Sequence, residues 1–164
     1  MPLYKKGMNF FIFKYFKVQM KQSIVFFIVL FCTMSMRIEY SVKPSCGDFL
    51  ERIHKKPKHL EFIECKKEKD AQISVLQARY QVKGTFASSV EKYLIHAFGM
   101  QPLRHICCIW ETVPNEEGSR YGSFKGGEFY YSIDMGADGA FGERKDWSKI
   151  DWFYVTVELP LNTP

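Results

Sequence analysis

The 164-residue sequence lacks the spaced motifs that mark the commonest catalytic and metal sites. Its four histidines include no H-E-x-x-H pair, and its five cysteines include no C-x-x-C pair of the kind used by thioredoxin-like dithiols and zinc knuckles. A serine nucleophile in G-x-S-x-G and a phosphate-binding GK[ST] loop are also missing. The segment DMGADGAFGER has Gly136 and Lys145 where a calcium loop needs Asp or Asn and then Glu. The sequence therefore predicts no cofactor, no metal and no enzyme.

The main part of the chain also lacks net charge. Six of the 23 Lys and Arg and one of the 18 Asp and Glu lie in residues 1–42, which leaves seventeen of each sign in residues 43–164. Nucleic-acid binding requires a basic patch on the folded domain itself, so the overall charge of +5 is no argument for it. We expect no nucleic-acid partner.

Long apolar runs are scarce, and the clearest one is short for a membrane span. Fifteen uncharged residues, 22–36, lie between Lys21 and Arg37, and as a helix they would extend about 22 Å against a hydrocarbon core of about 30 Å. A basic segment followed by a short apolar run is typical of an export signal. Residues 1–42 are therefore predicted to be a leader or signal peptide, with Met20 as an alternative start and a periplasmic or secreted product.

Other interpretations of this segment stay open. An uncleaved leader would anchor the protein in the inner membrane through residues 22–36, which is the one membrane contact that we expect. A buried helix of a cytosolic domain is the remaining interpretation, and the flanking charges favour export over it.

Residues 43–164 are predicted to be a single α+β domain. A helix should begin at Ser45–Asp48 and end before Pro57, and a second should extend from a Thr85 cap to a Gly99 stop. Alternating apolar residues predict strands over 59–66, 72–82, 103–113, 127–135 and 152–159, with a hairpin turn at 126–127 and a helical turn at 144–151. The order α-β-β-α-β-β-β, with short connections, predicts an antiparallel sheet of about five strands with two helices on one face.

Four cysteines lie outside the leader: Cys46, Cys65, Cys107 and Cys108. An even number in a small exported domain predicts two disulfides that staple the fold. Neighbours in a strand point to opposite faces, so Cys107 and Cys108 should lie on opposite sides of the sheet. The simplest arrangement joins one of them to Cys46 and the other to Cys65. A Cys46–Cys65 bridge that leaves two thiols is the competing arrangement.

Aromatic residues make up 16% of the chain, and several fall in loops or on the expected outer side of strands: Tyr121, Tyr130, Trp147, Trp152 and Tyr154. Tyr130, Trp152 and Tyr154 share the outer parity of the last two strands, opposite a Phe/Val/Ile core face. Exposed Trp and Tyr are typical of protein-binding surfaces, so these three residues are the candidate partner-binding site. A sheet covered on both faces is the alternative.

Several segments together resemble a known family: CGDFLERIHKKPKHLEFIECK, LQARYQVKG, VEKYLIHAFGMQPLRHICCIWE, YYSIDM and RKDWSKIDWFYVTVEL. They are similar to an uncharacterised family of small exported Gram-negative bacterial proteins, classed as a domain of unknown function, over residues 45–160. The resemblance implies no activity, cofactor or catalytic residue.

The function that these observations favour is an exported, non-enzymatic module that binds a protein partner, with an inhibitor or immunity protein as one form. The alternative is an envelope enzyme or thiol-active protein whose site is assembled from distant residues, with His105, Cys107 and Glu111 as its candidates. A small-ligand binder that uses the concave side of a curved sheet is a third possibility.

Overall fold

Strands dominate the described chain because β-branched and aromatic residues alternate with polar ones along much of it. The computed structural model describes residues 43–70 and 73–161, and the predicted leader lies outside them. The described elements are, in chain order, α1 (Phe49–Arg52), β1 (Glu61–Asp70), β2 (Ile73–Lys83), α2 (Gly84–Phe98), β3 (Leu103–Ile106), β4 (Ile109–Thr112), β5 (Gly122–Gly126), β6 (Phe129–Asp138), a 3-10 helix (Arg144–Lys149) and β7 (Trp152–Pro160).

The strands form one antiparallel sheet with the spatial order β1-β2-β7-β6-β4-β3. The fifth strand pairs with the first half of β6, and β4 pairs with the second half of the same edge. The predicted antiparallel α+β class is confirmed, but the predicted count of about five strands is wrong, because the sheet has seven. Residues 103–113 fold into two strands, and residues 122–126 add one that the sequence pattern did not predict.

Both helices and the 3-10 helix pack against the inner face of the sheet, which holds the core. The inner residues of β7 are almost completely buried, and α2 contributes Val90 and Leu94 above them. Tyr80 of β2 ties α1 to the sheet, since its hydroxyl accepts a hydrogen bond from the Leu50 amide and donates one to Asp48. The predicted core faces of β6 and β7 are confirmed, except that Phe129 is only half-buried. The buried residues of these two faces are Tyr131, Ile133, Met135, Phe153, Val155, Val157 and Leu159.

The first helix is shorter than predicted. It begins after Asp48, whose carboxylate accepts the Glu51 amide, and it lasts only four residues. Its last residue, Arg52, turns its guanidinium back to the carbonyls of Ser45 and Cys46, and His54 then takes a positive φ of 54°. The prediction that the helix begins at Ser45 is therefore wrong. The Ser45 carbonyl accepts a hydrogen bond from the Arg52 guanidinium, and Asp48 is the N-cap.

The second helix has its predicted extent but not its predicted N-cap. Lys83 occupies the cap position, so the expectation of a Thr85 cap is wrong. Gly84 is the first residue of the helix, and an added Cβ there would lie 2.0 Å from the Trp147 carbonyl oxygen. Glycine is therefore needed at the start of α2, because the backbone of the 3-10 helix passes too close for a side chain. At the other end Gly99 has a φ of 72°, which confirms the predicted left-handed stop.

The cysteine pairing also differs from the two predicted disulfides. Cys46 and Cys65 form one disulfide, which was the competing arrangement, whereas Cys107 and Cys108 are exposed free thiols of the described chain. The predicted strand 103–113 is interrupted at these two residues, which form the turn between β3 and β4. The expectation of one thiol on each side of a sheet is therefore wrong, because neither residue lies in a strand.

Within residues 43–70 and 73–161, no helix has the length and apolar character needed to cross a bilayer.

Candidate functional site

A depression of about 290 Å³ lies on the outer face of the sheet, between β4, β6 and β7. We call it the Gly136 hollow and define it by the residues that line it and carry its chemistry: Glu111, Arg120, Asp134, Gly136, Tyr154 and Thr156. It contains Tyr154, which the sequence pattern placed on this face.

The hollow exists because a glycine stands between two long side chains. Gly136 of β6 pairs with Glu111 of β4 on one side and with Tyr154 of β7 on the other. Cross-strand partners project to the same face of an antiparallel sheet. Glu111 and Tyr154 therefore form two walls, and the missing side chain of Gly136 leaves the space between them open.

Charged groups converge on one side of this space. The Arg120 guanidinium donates to Glu111 at 3.1 Å, while its buried Nε has no hydrogen-bond partner among the described residues. Asp134 Oδ1 accepts the Thr112 hydroxyl at 2.6 Å and the Met135 amide at 2.8 Å. Three carboxylates line the hollow against a single guanidinium, since Asp138 lies at its rim, and its formal charge is therefore negative.

Burial raises the pKa of the Asp134 carboxyl above its ordinary value of 3.8. The hydrogen bonds from Thr112 and the Met135 amide act in the opposite direction, as does the positive charge of Arg120. The negative charge of Glu111 adds to the upward shift. A cation that entered the hollow would stabilise the ionised form of Asp134.

The aromatic wall of the hollow is already in contact with a cation. The Arg79 guanidinium lies 5.7 Å from the centre of the Tyr154 ring, and Lys83 lies 5.9 Å from that of Trp152, two residues away on β7. Tyr154 is 38% exposed and Trp152 is half-buried. Each ring therefore already has a cation of the chain itself as a neighbour.

Tyr130 does not join the other two candidate residues. It is 67% exposed and lies six residues before Gly136 on β6, which is about 20 Å along an extended strand. Its own cationic neighbour is Lys125 of β5, at 5.5 Å. The structure thus brings Trp152 and Tyr154 together beside the hollow and leaves Tyr130 at the far end of the same face.

The candidates for an enzymatic site are separated. His105 pairs with Trp110 on the inner side of the β3–β4 hairpin, and its Nε2 lies 3.1 Å from the Gly139 carbonyl oxygen. Glu111 points to the outer face, where it binds Arg120, and Cys107 is in the turn. Trp147, which was expected in a loop or at the surface, is 2% exposed and packs on Phe153 in the core.

Elsewhere, a larger groove of about 540 Å³ lies between residues 101–104 and 113–117. It contains none of the residues that the sequence pattern singled out. Across residues 43–70 and 73–161, no group of three or more His, Cys, Asp or Glu side chains has the arrangement needed to hold a metal ion.

Sequence reasoning missed Arg120 and Asp134. Two signals were present: Asp134 has the outer parity of its strand, and Gly136 is a glycine inside a strand pattern, which often marks a close approach or an opening. Arg120 gave no signal, because it lies in a connection whose path only the tertiary structure decides.

Comparisons with known proteins give one match. Residues 36–110 match the model of a family described as a domain of unknown function (DUF4952). The expected resemblance to an uncharacterised domain is confirmed at that level, over a shorter stretch than expected, since the match ends at Trp110. No curated protein and no solved structure matches the chain.

Proposed function

We propose that this chain is an exported, non-enzymatic module that binds a protein partner through the outer face of its sheet. The contact is centred on the Gly136 hollow and on the neighbouring Trp152 and Tyr154. The observation that carries the proposal is the combination of an exposed Tyr154 and a half-buried Trp152 with a charged depression on the same sheet face. Aromatic residues and arginine are the types most enriched at the energetic centres of protein interfaces.

The charge of the hollow indicates what the partner inserts. Glu111 is already paired with Arg120, while Asp134 carries a carboxylate whose described partners are a hydroxyl and a backbone amide. Asp138 adds a further negative charge at the rim. A lysine or arginine side chain would pair with these carboxylates beside the Tyr154 ring, which Arg79 of the chain itself already contacts. The partner is therefore a protein with a basic side chain on a protruding loop or turn.

The size of the hollow favours a side chain over a metabolite. Sites for small organic ligands usually enclose about 300–1,000 Å³ and cover most of the ligand. The hollow, at about 290 Å³, is at the lower limit of that range and opens onto a broad sheet face. A protein that covers the face can bury the rings and the inserted side chain together, which a small ligand cannot do.

The non-enzymatic part of the proposal is supported by the hydrogen bonds that already occupy the side chains that could act in catalysis. The carboxylate of Glu111 is occupied by Arg120, and His105 is held on the opposite face of the hairpin. Asp134 uses one oxygen to accept two hydrogen bonds from its own neighbourhood. These contacts fix the groups as a charged surface instead of leaving a base beside a nucleophile.

Export is supported by the Cys46–Cys65 disulfide together with the leader-like sequence of residues 1–42. Stable disulfides are characteristic of oxidising compartments such as the periplasm or the extracellular space. The resemblance in sequence suggests a Gram-negative bacterial protein, so the envelope is the proposed location. An inhibitor or immunity protein that neutralises a toxin there is the specific form that we propose.

Photo-crosslinking from the sheet face tests the proposal. The photoreactive residue p-benzoylphenylalanine replaces Tyr154 in the full chain, expressed in the bacterium that makes it, and covalent adducts are identified by mass spectrometry. We expect one discrete protein adduct, joined near a Lys or Arg of the partner. Replacing Glu111 and Asp134 together (Glu111→Gln and Asp134→Asn) should weaken this adduct strongly, because the attraction for a basic side chain is removed.

Tyr93 is a matched control position, since it is 36% exposed against 38% for Tyr154 but belongs to α2 on the opposite side of the sheet. Crosslinking from Tyr93 should not yield the same adduct. Equal adducts from both positions, or no discrete adduct from Tyr154, would contradict the proposed surface.

A further inference from the structure

The groove of about 540 Å³ lies on the same face of the sheet as the Gly136 hollow. Arg104 of β3 is the cross-strand partner of Glu111 on β4, and Val113 follows Glu111 by two residues. Arg104 and Val113 line the groove, whereas Glu111 lines the hollow. Cross-strand partners and residues two apart in an extended chain project to the same face. The two depressions are therefore neighbours on the outer face, with Glu111 between them.

The far wall of the groove is a loop that holds its own shape. The Asn115 amide donates to the Ser119 carbonyl at 2.9 Å, and the Asn115 side-chain oxygen accepts the amides of Glu117 and Ser119 at 3.1 and 2.9 Å. The Gln101 amide, on the near wall, donates to the Arg120 carbonyl at 3.2 Å. Both walls are thus fixed by backbone hydrogen bonds before a partner arrives.

Charges of opposite sign lie on the two walls of the groove. Arg104 is on the near wall, Glu116 and Glu117 are on the far wall, and all three are exposed. None of them belongs to an ion pair in the part of the chain that the structure describes. Arg104 is next to Glu111, but that carboxylate is bound by Arg120 at 3.1 Å. The Arg104 guanidinium is therefore available to a carboxylate from another molecule.

The ridge between the hollow and the groove also has the composition of a contact surface. It consists of the Glu111–Arg120 ion pair with Tyr121 beside it. The Arg120 guanidinium lies 5.0 Å from the centre of the Tyr121 ring, and Tyr121 is 49% exposed. Tyrosine and arginine are enriched at the energetic centres of protein interfaces. A partner that covers both depressions would therefore contact the ridge as well.

The sheet sets the distance between the charges that such a partner meets. Gly136 pairs with Glu111, and Glu111 pairs with Arg104, so Arg104 is two strands away from the floor of the hollow. Neighbouring strands are about 4.8 Å apart, which makes this separation about 10 Å. An extended chain advances about 3.3 Å per residue, so about three residues cover it.

We propose that the hollow and the groove form one interface, and that a single extended segment of the partner crosses both. The segment places a basic side chain in the hollow and, about three residues away, an acidic side chain on the Arg104 guanidinium. A wholly basic segment would be repelled by Arg104, and a wholly acidic one by Asp134 and Asp138 of the hollow. This inference rests on the proposed function and names the charge pattern of the partner's segment.

Photo-crosslinking from the groove tests the inference. p-Benzoylphenylalanine replaces Glu116 in the full chain, and its adduct is compared by mass spectrometry with the adduct from Tyr154. We expect the same partner from both positions. The two crosslinked residues of the partner should lie within about six residues of each other, since three strand spacings and two side chains separate the photoreactive groups.

A change of charge at Arg104 tests the acidic contact itself. Arg104→Glu should lower the yield of the Tyr154 adduct about fivefold, because the new carboxylate repels the acidic side chain of the partner. The fold should be unaffected, since the Arg104 side chain is exposed. Changing the partner's acidic residue nearest the crosslink to Lys should restore the yield. Lys92→Glu is the matched control, because it makes the same change of sign at an exposed residue of α2 and should leave the yield unchanged.

The results distinguish failure of the shared segment from failure of the proposed function. Suppose that the Tyr154 adduct forms and that Arg104→Glu and Lys92→Glu leave it equally strong. The shared segment would then be overturned, while the binding surface at the hollow would stand. A Glu116 position that captures a different protein, or none, would have the same meaning. The absence of a discrete adduct from Tyr154 would contradict the proposed function and the shared segment together.

Discussion

At the scale of single residues, Asp134 is the group whose surroundings most change its chemistry. It lies on the outer face of β6, where its sequence parity would predict an ordinary exposed carboxylate. The Arg120 connection and the end of β4 cover it, and the Thr112 hydroxyl and the Met135 amide satisfy one of its oxygens. Burial raises the pKa of the carboxyl, so the native state retains a proton that the unfolded chain releases earlier.

Asp134→Asn should therefore change the pH dependence of stability. With the pKa raised in the native state, the group contributes most to stability below its unfolded pKa of 3.8, and this contribution is lost as pH rises through the native pKa. Asparagine keeps the oxygen acceptor and has no charge to desolvate. The free energy of unfolding of Asp134→Asn, relative to the parent, should increase with pH from about pH 4 upward until Asp134 is fully ionised.

Urea unfolding at a series of pH values measures this difference. Asp138→Asn is the matched control, because Asp138 is an exposed carboxylate on the same strand. The same pH trend in both variants would show that burial of Asp134 is not its cause.

At the scale of elements, a buried carboxylate joins three segments that are distant in sequence. Glu91 of α2 is 2% exposed and accepts the Leu103 amide at 2.8 Å. It also accepts hydrogen bonds from two guanidinium nitrogens of Arg144. The same guanidinium donates to the Leu103 carbonyl at 2.7 Å and lies 4.6 Å from the centre of the Trp147 ring. The contact fixes α2, the start of β3 and the 3-10 helix relative to one another.

Glu91→Gln should destabilise the domain by about 2 kcal/mol, because an amide cannot replace both charge-assisted hydrogen bonds of a buried carboxylate. Urea unfolding at neutral pH measures the loss. Glu143→Gln is the control, since Glu143 and its partner Lys145 are both largely exposed, and it should cost less than about 1 kcal/mol. Similar losses in the two variants would mean that the Glu91 contact is an ordinary surface pair.

The disulfide joins the segment before α1 to β1, nineteen residues apart. Replacing both cysteines (Cys46→Ser with Cys65→Ser) should lower the free energy of unfolding by about 3 kcal/mol, because a loop of this size gains entropy in the unfolded chain. The pair Cys107→Ser and Cys108→Ser, compared by the same unfolding experiment, should leave the free energy of unfolding nearly unchanged, since both side chains are exposed. A larger loss of unfolding free energy in the Cys107→Ser and Cys108→Ser variant than in the Cys46→Ser and Cys65→Ser variant would contradict the stabilising role assigned to the disulfide.

At the scale of the whole molecule, the number of free thiols reports on export and on folding together. If the leader is removed, the product should show two alkylated cysteines before reduction, Cys107 and Cys108, and four after it. Intact mass with and without prior reduction measures both numbers on the exported full-length chain. A third thiol before reduction would be Cys32 of a retained leader, and it would contradict cleavage.

Local sequence patterns predicted much of the fold. The alternating faces of β6 and β7, the extent of α2 with its Gly99 stop, and the hairpin near residues 126–127 follow from side-chain periodicity and turn chemistry. In that hairpin the loop is one residue later than expected, since Gly126 pairs with Phe129 and Gly127 has the positive φ. The candidate site was predicted only in part: Tyr154 and Trp152 were on the correct face, whereas Arg120 and Asp134 were missed.

The sequence by itself determined the antiparallel α+β class and which sides of β6 and β7 face the core, because burial of apolar side chains acts at periods that can be counted along the chain. Only the tertiary structure decided the turn at Cys107 and Cys108, the Cys46–Cys65 pairing, the Glu91 contact and the Gly136 hollow. Each of these depends on segments far apart in sequence. The turn is the clearest case, because its backbone is held by Gly139, more than thirty residues later, and not by a turn-forming residue of its own.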